Sequence, residues 1–158
     1  MAKNTLNILK KILFLLLFVF IAIQFIQPAR NTNGQVLSTD ISKVVSVPEN
    51  VQSVLKVACY DCHSNNTRYT WYVNIQPIGW MMAKHVKNGK HELNFSDFGS
   101  YSTRKQQSKL KAIASQIKDD EMPLTEYKIM HGDARLSKEE KDLIINWASV
   151  TKNSIQNK

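Results

Sequence analysis

The chain has 158 residues, and its 21 Lys and Arg against 13 Asp and Glu give a formal net charge of +8. Only two cysteines are present, which excludes a disulfide-rich secreted fold. The basic residues do not form a stripe interleaved with aromatic residues, so the sequence argues against a nucleic-acid-binding protein. Without its apolar N-terminal segment, the chain is long enough for one ordinary domain and too short for two.

Residues 1–29 predict an N-terminal membrane anchor or signal segment, because lysines precede an apolar run over residues 12–26. The bulky Phe25, Ile26 and Gln27 follow where cleavage of a signal peptide needs small residues, and this favours an uncleaved single-pass anchor. Because positive flanks stay in the cytoplasm, the rest of the chain is predicted to lie in the periplasm, attached to the cytoplasmic membrane.

The remainder predicts a mainly α domain, since no alternating run is long enough for a sheet. Residues 30–47 are polar and aperiodic and predict a linker, which leaves a domain over 48–152 and a tail over 153–158. Apolar residues at helical spacing predict four helices: one from Pro48 to the cysteines, one over 78–88, one over 103–118, and one after Leu136.

Helix ends also carry sequence signals. Gly89 is predicted to close the second of these helices as a left-handed cap. Thr103 and Gln106 have the spacing of a capping box, and so do Ser137 and Glu140 before the last helix.

Both cysteines lie in the segment "ACYDCHSNN", where Cys59 and Cys62 are separated by two residues and His63 follows directly. Outside the cytoplasm such a pair is typical of a disulfide, a zinc half-site, a redox-active dithiol or a covalent haem site. Haem uses every residue of the motif, because two thiols can each add to one vinyl group while the histidine ligates the iron. This hypothesis is favoured, and a disulfide or another metal remains the alternative.

The segments "VACYDCHSNNTRYTWYVNIQPIGWMMAKHVKNGKHELNFSDF" and "DDEMPLTEYKIMHGDARLSKEEKDLIINW" resemble the bacterial haem-binding domain family, a c-type cytochrome-like group with one N-terminal membrane helix. The resemblance extends over about residues 15–148. It implies a small cytochrome c-like helical domain with one covalent haem c on Cys59 and Cys62, and with His63 as an axial ligand of the iron.

The second axial ligand is predicted to be Met122, because thioether sulfur and imidazole nitrogen are the usual choices. Met122 lies between a helix with acidic residues at its C-terminal end and the last helix, and Pro123 restrains its loop. This position also resembles that of the methionine ligand in mono-haem cytochromes c. His85 is the alternative ligand, on a predicted helix face with Met81.

Other conspicuous side chains have ordinary structural interpretations. His131 precedes Gly132 in a turn-like stretch, and His91 lies between charged neighbours, where a solvated histidine is expected. Four aromatic residues near the motif are expected to be buried: Trp71, Tyr72, Trp80 and Phe95.

With both axial positions filled by side chains, the chemistry reduces to one-electron exchange. The sequence therefore predicts an electron carrier rather than an enzyme, with periplasmic redox proteins as partners. A haem-based peroxidase, or a gas or redox sensor with an exchangeable sixth ligand, is the alternative.

Overall fold

The computed structural model describes residues 2–33 and 35–156. Over these residues it has three short 3-10 helices, no β-strand, and the following α-helices: α1 Ala2–Ile23, α2 Ile41–Val44, α3 Glu49–Ala58, α4 Tyr60–His63, α5 Ile78–Glu92, α6 Thr103–Lys118, α7 Thr125–Met130 and α8 Lys138–Gln156. The mainly α fold class is confirmed. Met1 of the predicted anchor, Gly34 of the predicted linker and residues 157–158 of the predicted tail lie outside the described residues.

The chain divides into two compact units, which the sequence did not indicate. The first unit comprises Met1–Arg30 and Arg68–His85, and the second comprises Asn31–Thr67 and Val86–Lys158. Helix α5 belongs to both, because its first half falls in the first unit and its second half in the second. The predicted haem motif lies entirely in the second unit.

The first unit consists of α1, the residues that follow it up to Arg30, and the segment 68–85. Within α1, the 20 residues Asn4–Ile23 have a mean hydropathy of 2.4, and by length and composition they form a helix able to cross a membrane. The apolar side chains of this helix are largely exposed; Phe14 and Phe18, for example, are each 70% exposed. An anchor and a signal segment both fit these properties.

The second unit has a hydrophobic core built by α3, α6 and α8. Their buried residues recur at helical spacing, as predicted, and α6 lies along α8. Leu55 of α3, Leu110 of α6 and Ile144 of α8 are each 0% exposed. The aromatic core residues Phe95 and Phe98 come from the 3-10 helix Phe95–Ser100.

Of the three predicted helix caps, one is present as predicted and two differ. The backbone N–H of Ser137 donates to Glu140 Oε2 at 2.8 Å, and the backbone N–H of Glu140 donates to Ser137 Oγ at 3.2 Å, so this capping box is present. The cap of α6 is Ser102 rather than Thr103, because the Ser102 side chain accepts from the N–H of Lys105. The third predicted cap, Gly89, lies inside α5, which continues to Glu92.

The second unit starts before the predicted domain boundary at residue 48. Ile41 of α2 is fully buried in the core, and Asp40 caps α2 by accepting from the N–H of Ser42. Trp147 donates its indole N–H to the carbonyl of Ser46 at 3.0 Å. The C-terminal part of the predicted linker is therefore folded, because a single isoleucine in a polar stretch gives no periodic signal. Likewise α8 runs into the predicted tail, where Ile155 packs against the core.

Candidate functional site

The cysteine motif follows directly from the end of α3. Cys59 ends this helix with φ −127° and ψ −40°, and α4 then forms one further turn over Tyr60–His63. The carbonyl of Cys59 accepts from the N–H of Cys62 at 3.2 Å and from the N–H of His63 at 3.0 Å. This tight turn holds Cys59 and His63 at the lining of one cavity.

His63 is held in one orientation by a backbone carbonyl. Its Nδ1 lies 3.0 Å from the carbonyl oxygen of Leu93. A carbonyl can only accept, so Nδ1 carries the proton and Nε2 keeps its lone pair. Burial lowers the pKa of His63, although hydrogen bonds to the backbone at Leu93 and Gly89 oppose this effect. At neutral pH the imidazole is therefore uncharged, as a metal ligand must be.

The two cysteines are half-buried, and their thiols stay protonated at neutral pH. Burial, followed by the charge of Cys62, raises the pKa of Cys59 to about 12. Burial, followed by the charge of Asp61, raises the pKa of Cys62 to about 11. Redox-active cysteine pairs instead have a lowered thiol pKa, so these surroundings do not favour a redox dithiol.

A zinc site is not completed by nearby side chains. Across the part of the chain that the structure describes, no group of three or more His, Cys, Asp or Glu is placed to hold a metal ion. A structural zinc site needs four ligands, and the cysteine pair supplies only two.

The cavity next to the motif has a volume of about 370 Å³. This lies within the range of about 300–1,000 Å³ that is usual for small-molecule and cofactor sites. Its walls are mostly apolar and come from α3, α6 and the segments after α5 and α6: Leu55, Ala58, Leu93, Phe95, Ala112, Ile113, Ile117 and Pro123. Three polar side chains, those of Glu92, Lys109 and Gln116, complete the lining, and Lys109 Nζ lies 3.6 Å from Glu92 Oε2.

Gly89 brings α5 against the cysteine motif. A Cβ atom at this position would lie 2.6 Å from the carbonyl oxygen of Cys62 and 3.1 Å from its Cβ. The glycine therefore serves close packing between the helix and the motif rather than a left-handed cap. Cys62 itself is half-buried and is not among the residues that line the cavity.

Met122 lies in the cavity lining with Cys59 and His63. Asp120, with φ 59°, reverses the chain after α6, and the backbone N–H groups of Glu121 and Met122 both donate to the carbonyl of Gln116, at 3.0 and 3.2 Å. The end of α6 thus fixes the backbone of Met122 beside the cavity. Among the described residues, the lining contains one methionine, Met122, and one histidine, His63.

The structure does not place the other candidate ligands in this lining. His85 belongs to the first unit, whereas the cavity is built from residues of the second. His91 is exposed, with its Nδ1 3.3 Å from a Glu92 carboxylate oxygen. His131 stacks on Tyr127 with ring centroids 4.0 Å apart.

All four aromatic residues near the motif were expected to be buried, but only two of them are. Tyr72 and Phe95 are buried, but Trp71 is 74% exposed and Trp80 is 36% exposed. The expectation was wrong for these two tryptophans, because neither packs into the hydrophobic core of the second unit.

Leu93, Gly89 and Lys109 were not identified as site residues from the sequence. Leu93 acts through its backbone carbonyl. Every residue has this group, so the sequence gives no signal for it. Gly89 carried a signal as a glycine inside an otherwise helical pattern, where a close approach is a common reason. Lys109 lies on the polar side of a predicted helix and gave no distinguishing signal.

The residues present fit a haem group. Two thiols, a neutral imidazole with Nε2 available, and an apolar cavity together provide what a porphyrin and its iron require. A helical fold with this site is that of a haem-binding protein.

Comparison with family models supports the same conclusion. The model of the haem-binding domain family matches residues 18–150, which is most of the chain, and the protein belongs to this family. Comparisons with curated proteins and with solved structures gave no match.

Proposed function

We propose that this protein is a c-type cytochrome that is anchored to the cytoplasmic membrane by α1 and transfers single electrons in the periplasm. The observation that carries the proposal is the shared cavity lining of Cys59, His63 and Met122. These residues come from two separate parts of the second unit and supply one attachment thiol and two candidate axial ligands. His63 and Met122 would both hold the iron, and haem held in this way would supply one-electron chemistry.

Covalent attachment would use the thiols of Cys59 and Cys62. Cys59 and Cys62 would hold the group through two thioether bonds, each made by net addition of S–H across a vinyl double bond. The addition needs no oxidant or reductant.

The surrounding residues would orient and shield the bound group. When bound, haem supplies the one-electron chemistry of its iron. The Leu93 carbonyl keeps the Nε2 lone pair of His63 available, and Phe95 and Ile113 exclude water with the other apolar walls. Lys109, at the polar part of the lining, would offer a positive charge to the haem carboxylates.

The proposed location follows from α1 and its charges. Lys10 and Lys11 precede the apolar part of α1, and positively charged flanks remain in the cytoplasm. The second unit would then lie in the periplasm, where thiols are exposed to cytochrome c maturation. We propose that its partners are periplasmic redox proteins, and that the protein is not itself a catalyst.

The attachment is tested by haem staining of the denatured full-length protein after electrophoresis. We expect Cys59→Ser and Cys62→Ser each to weaken the stain, and the double variant to abolish it. Met122→Ala is the matched control, because it should lose an axial ligand while keeping both thioether bonds. Stain that survives in the double variant would refute covalent attachment through this motif.

The absorption spectrum of the purified holoprotein separates an electron carrier from a catalyst or sensor. Two protein ligands give a six-coordinate, low-spin iron that binds carbon monoxide poorly. We expect this spectrum for the wild-type protein. A high-spin spectrum with ready carbon monoxide binding would instead favour a peroxidase or a gas sensor.

A further inference from the structure

The segment 68–85 of the first unit carries four large, exposed apolar side chains. They are those of Trp71, Ile78, Trp80 and Met81, and we call this set the tryptophan surface. Their exposed fractions are 74% for Trp71, 37% for Ile78, 36% for Trp80 and 46% for Met81. Such large apolar side chains in one short segment indicate an interaction surface.

Glutamine side chains attach the segment 68–85 to the residues that directly follow α1. The Gln24 side chain accepts from the backbone N–H of Gln76 at 2.9 Å and donates to the Gln76 carbonyl at 3.2 Å. The Gln76 side chain is fully buried and donates to Gln27 Oε1 at 3.0 Å. The side-chain amide of Gln24 thus pairs with both backbone groups of Gln76, as the backbone of a neighbouring strand would. Together the three hydrogen bonds hold the segment 68–85 in one position relative to the end of α1.

Trp80 lies close to the point where α1 ends. Its indole N–H donates to the carbonyl of Ile26 at 2.8 Å, three residues after the last residue of α1. Residues 24–26 continue in tight turns with i to i−3 hydrogen bonds, which rise about 2 Å per residue. The carbonyl of Ile26 is therefore about 6 Å beyond Ile23, which is within the thickness of about 5–8 Å of one headgroup layer.

The charges of the first unit suit a membrane with anionic lipids. All 13 acidic residues of the chain lie in the second unit, so the first unit contains none. Of its six basic residues, Lys3, Lys10 and Lys11 precede the apolar part of α1, and Arg30, Arg68 and Lys84 lie at the other end, with the segment 68–85. A surface without acidic residues is not repelled by anionic headgroups, and each nearby cation adds attraction.

We propose that the tryptophan surface rests in the headgroup region of the bilayer that α1 crosses. Tryptophan is enriched at this depth because its ring is apolar and its N–H is polar. The proposal rests on the membrane anchoring proposed above, since the surface reaches lipid by its fixed position at the end of α1. The segment 68–85 is then a second, interfacial attachment in addition to the membrane-spanning helix.

The test uses the full-length holoprotein reconstituted in vesicles of phosphatidylcholine and phosphatidylglycerol. Tryptophan emission is compared between ordinary vesicles and vesicles whose lipids carry bromine either near the headgroup or near the chain ends. Quenching of tryptophan by haem is the same in all of these vesicles. The ratio of emission in brominated vesicles to emission in ordinary vesicles therefore reports contact of tryptophan with lipid. The Trp71→Phe/Trp80→Phe double variant is the matched control, since only Trp147, buried in the second unit, remains.

We expect headgroup-proximal bromine to reduce wild-type emission more than deep bromine does, and each single tryptophan variant to lose part of this effect. The double variant should show equal emission in all vesicles. Flotation of the vesicles reports anchoring separately. A protein that floats without quenching would overturn the proposed surface contact alone and favour a protein partner for it. A protein that does not float would overturn the anchoring and the surface contact together.

Discussion

Replacement of Gly89 by alanine sets two effects of known sign against each other. Alanine is favoured over glycine inside a helix by about 1 kcal/mol, so the change would stabilise α5 if nothing lay beside it. The new Cβ would, however, lie 2.6 Å from the Cys62 carbonyl oxygen. A carbon and an oxygen normally stay about 3.3 Å apart or more, so α5 and the motif must separate by about 0.7 Å. Because the opposing atom is backbone, no side-chain rotation relieves the contact.

The overpacking costs about 1–3 kcal/mol, and the displaced carbonyl of Leu93 costs about a further 1 kcal/mol. Leu93 is involved because its N–H donates to the carbonyl of Gly89 at 2.8 Å, so the two residues move together. The distance of 3.0 Å from His63 Nδ1 to Leu93 would then lengthen beyond hydrogen-bonding range. After the gain in helix propensity, we expect a net loss of about 1–3 kcal/mol.

The assay is thermal unfolding of the holoprotein followed by circular dichroism, together with its absorption spectrum. The expected loss corresponds to a fall in Tm of about 3–9 °C for a domain of this size, with a weakened low-spin spectrum. Gly132→Ala is the matched control, because a Cβ at Gly132 meets no atom within 4 Å. A Gly89→Ala protein as stable as wild type, with an unchanged spectrum, would refute the close packing of α5 on the motif.

Three further predictions concern the ligand, the core and the partners. Met122→Ala should lose the weak near-red band of a methionine-ligated ferric haem and bind carbon monoxide, whereas His85→Ala should keep the band; the opposite result would assign the ligand to His85. Ile41→Ala should reduce the free energy of unfolding by about 2–5 kcal/mol in denaturant titration, while Val36→Ala, at a 67% exposed position, should change it little. Finally, electron transfer to an acidic redox protein should slow as salt is added, and rates independent of salt would argue against electrostatic steering.

Several features of the protein were determined by short-range signals in the sequence. The helices α3, α6 and α8 follow from apolar residues at helical spacing, and the capping box at Ser137 and Glu140 follows from two polar side chains three residues apart. The cysteine motif needs only contiguous residues to be recognised. Each of these features depends on residues within one or two helical turns, which is the range over which a sequence pattern carries structural information.

Tertiary structure alone decided which residues meet across the fold. The burial of Ile41, the approach of Gly89 to Cys62 and the carbonyl of Leu93 at His63 join residues that lie far apart in the sequence. No local pattern marks such pairs, because a backbone carbonyl or a missing side chain looks the same at any position. Trp71 is likewise exposed, although its aromatic character had suggested burial. The cysteine motif is contiguous in the sequence, whereas packing alone decided which residues surround it.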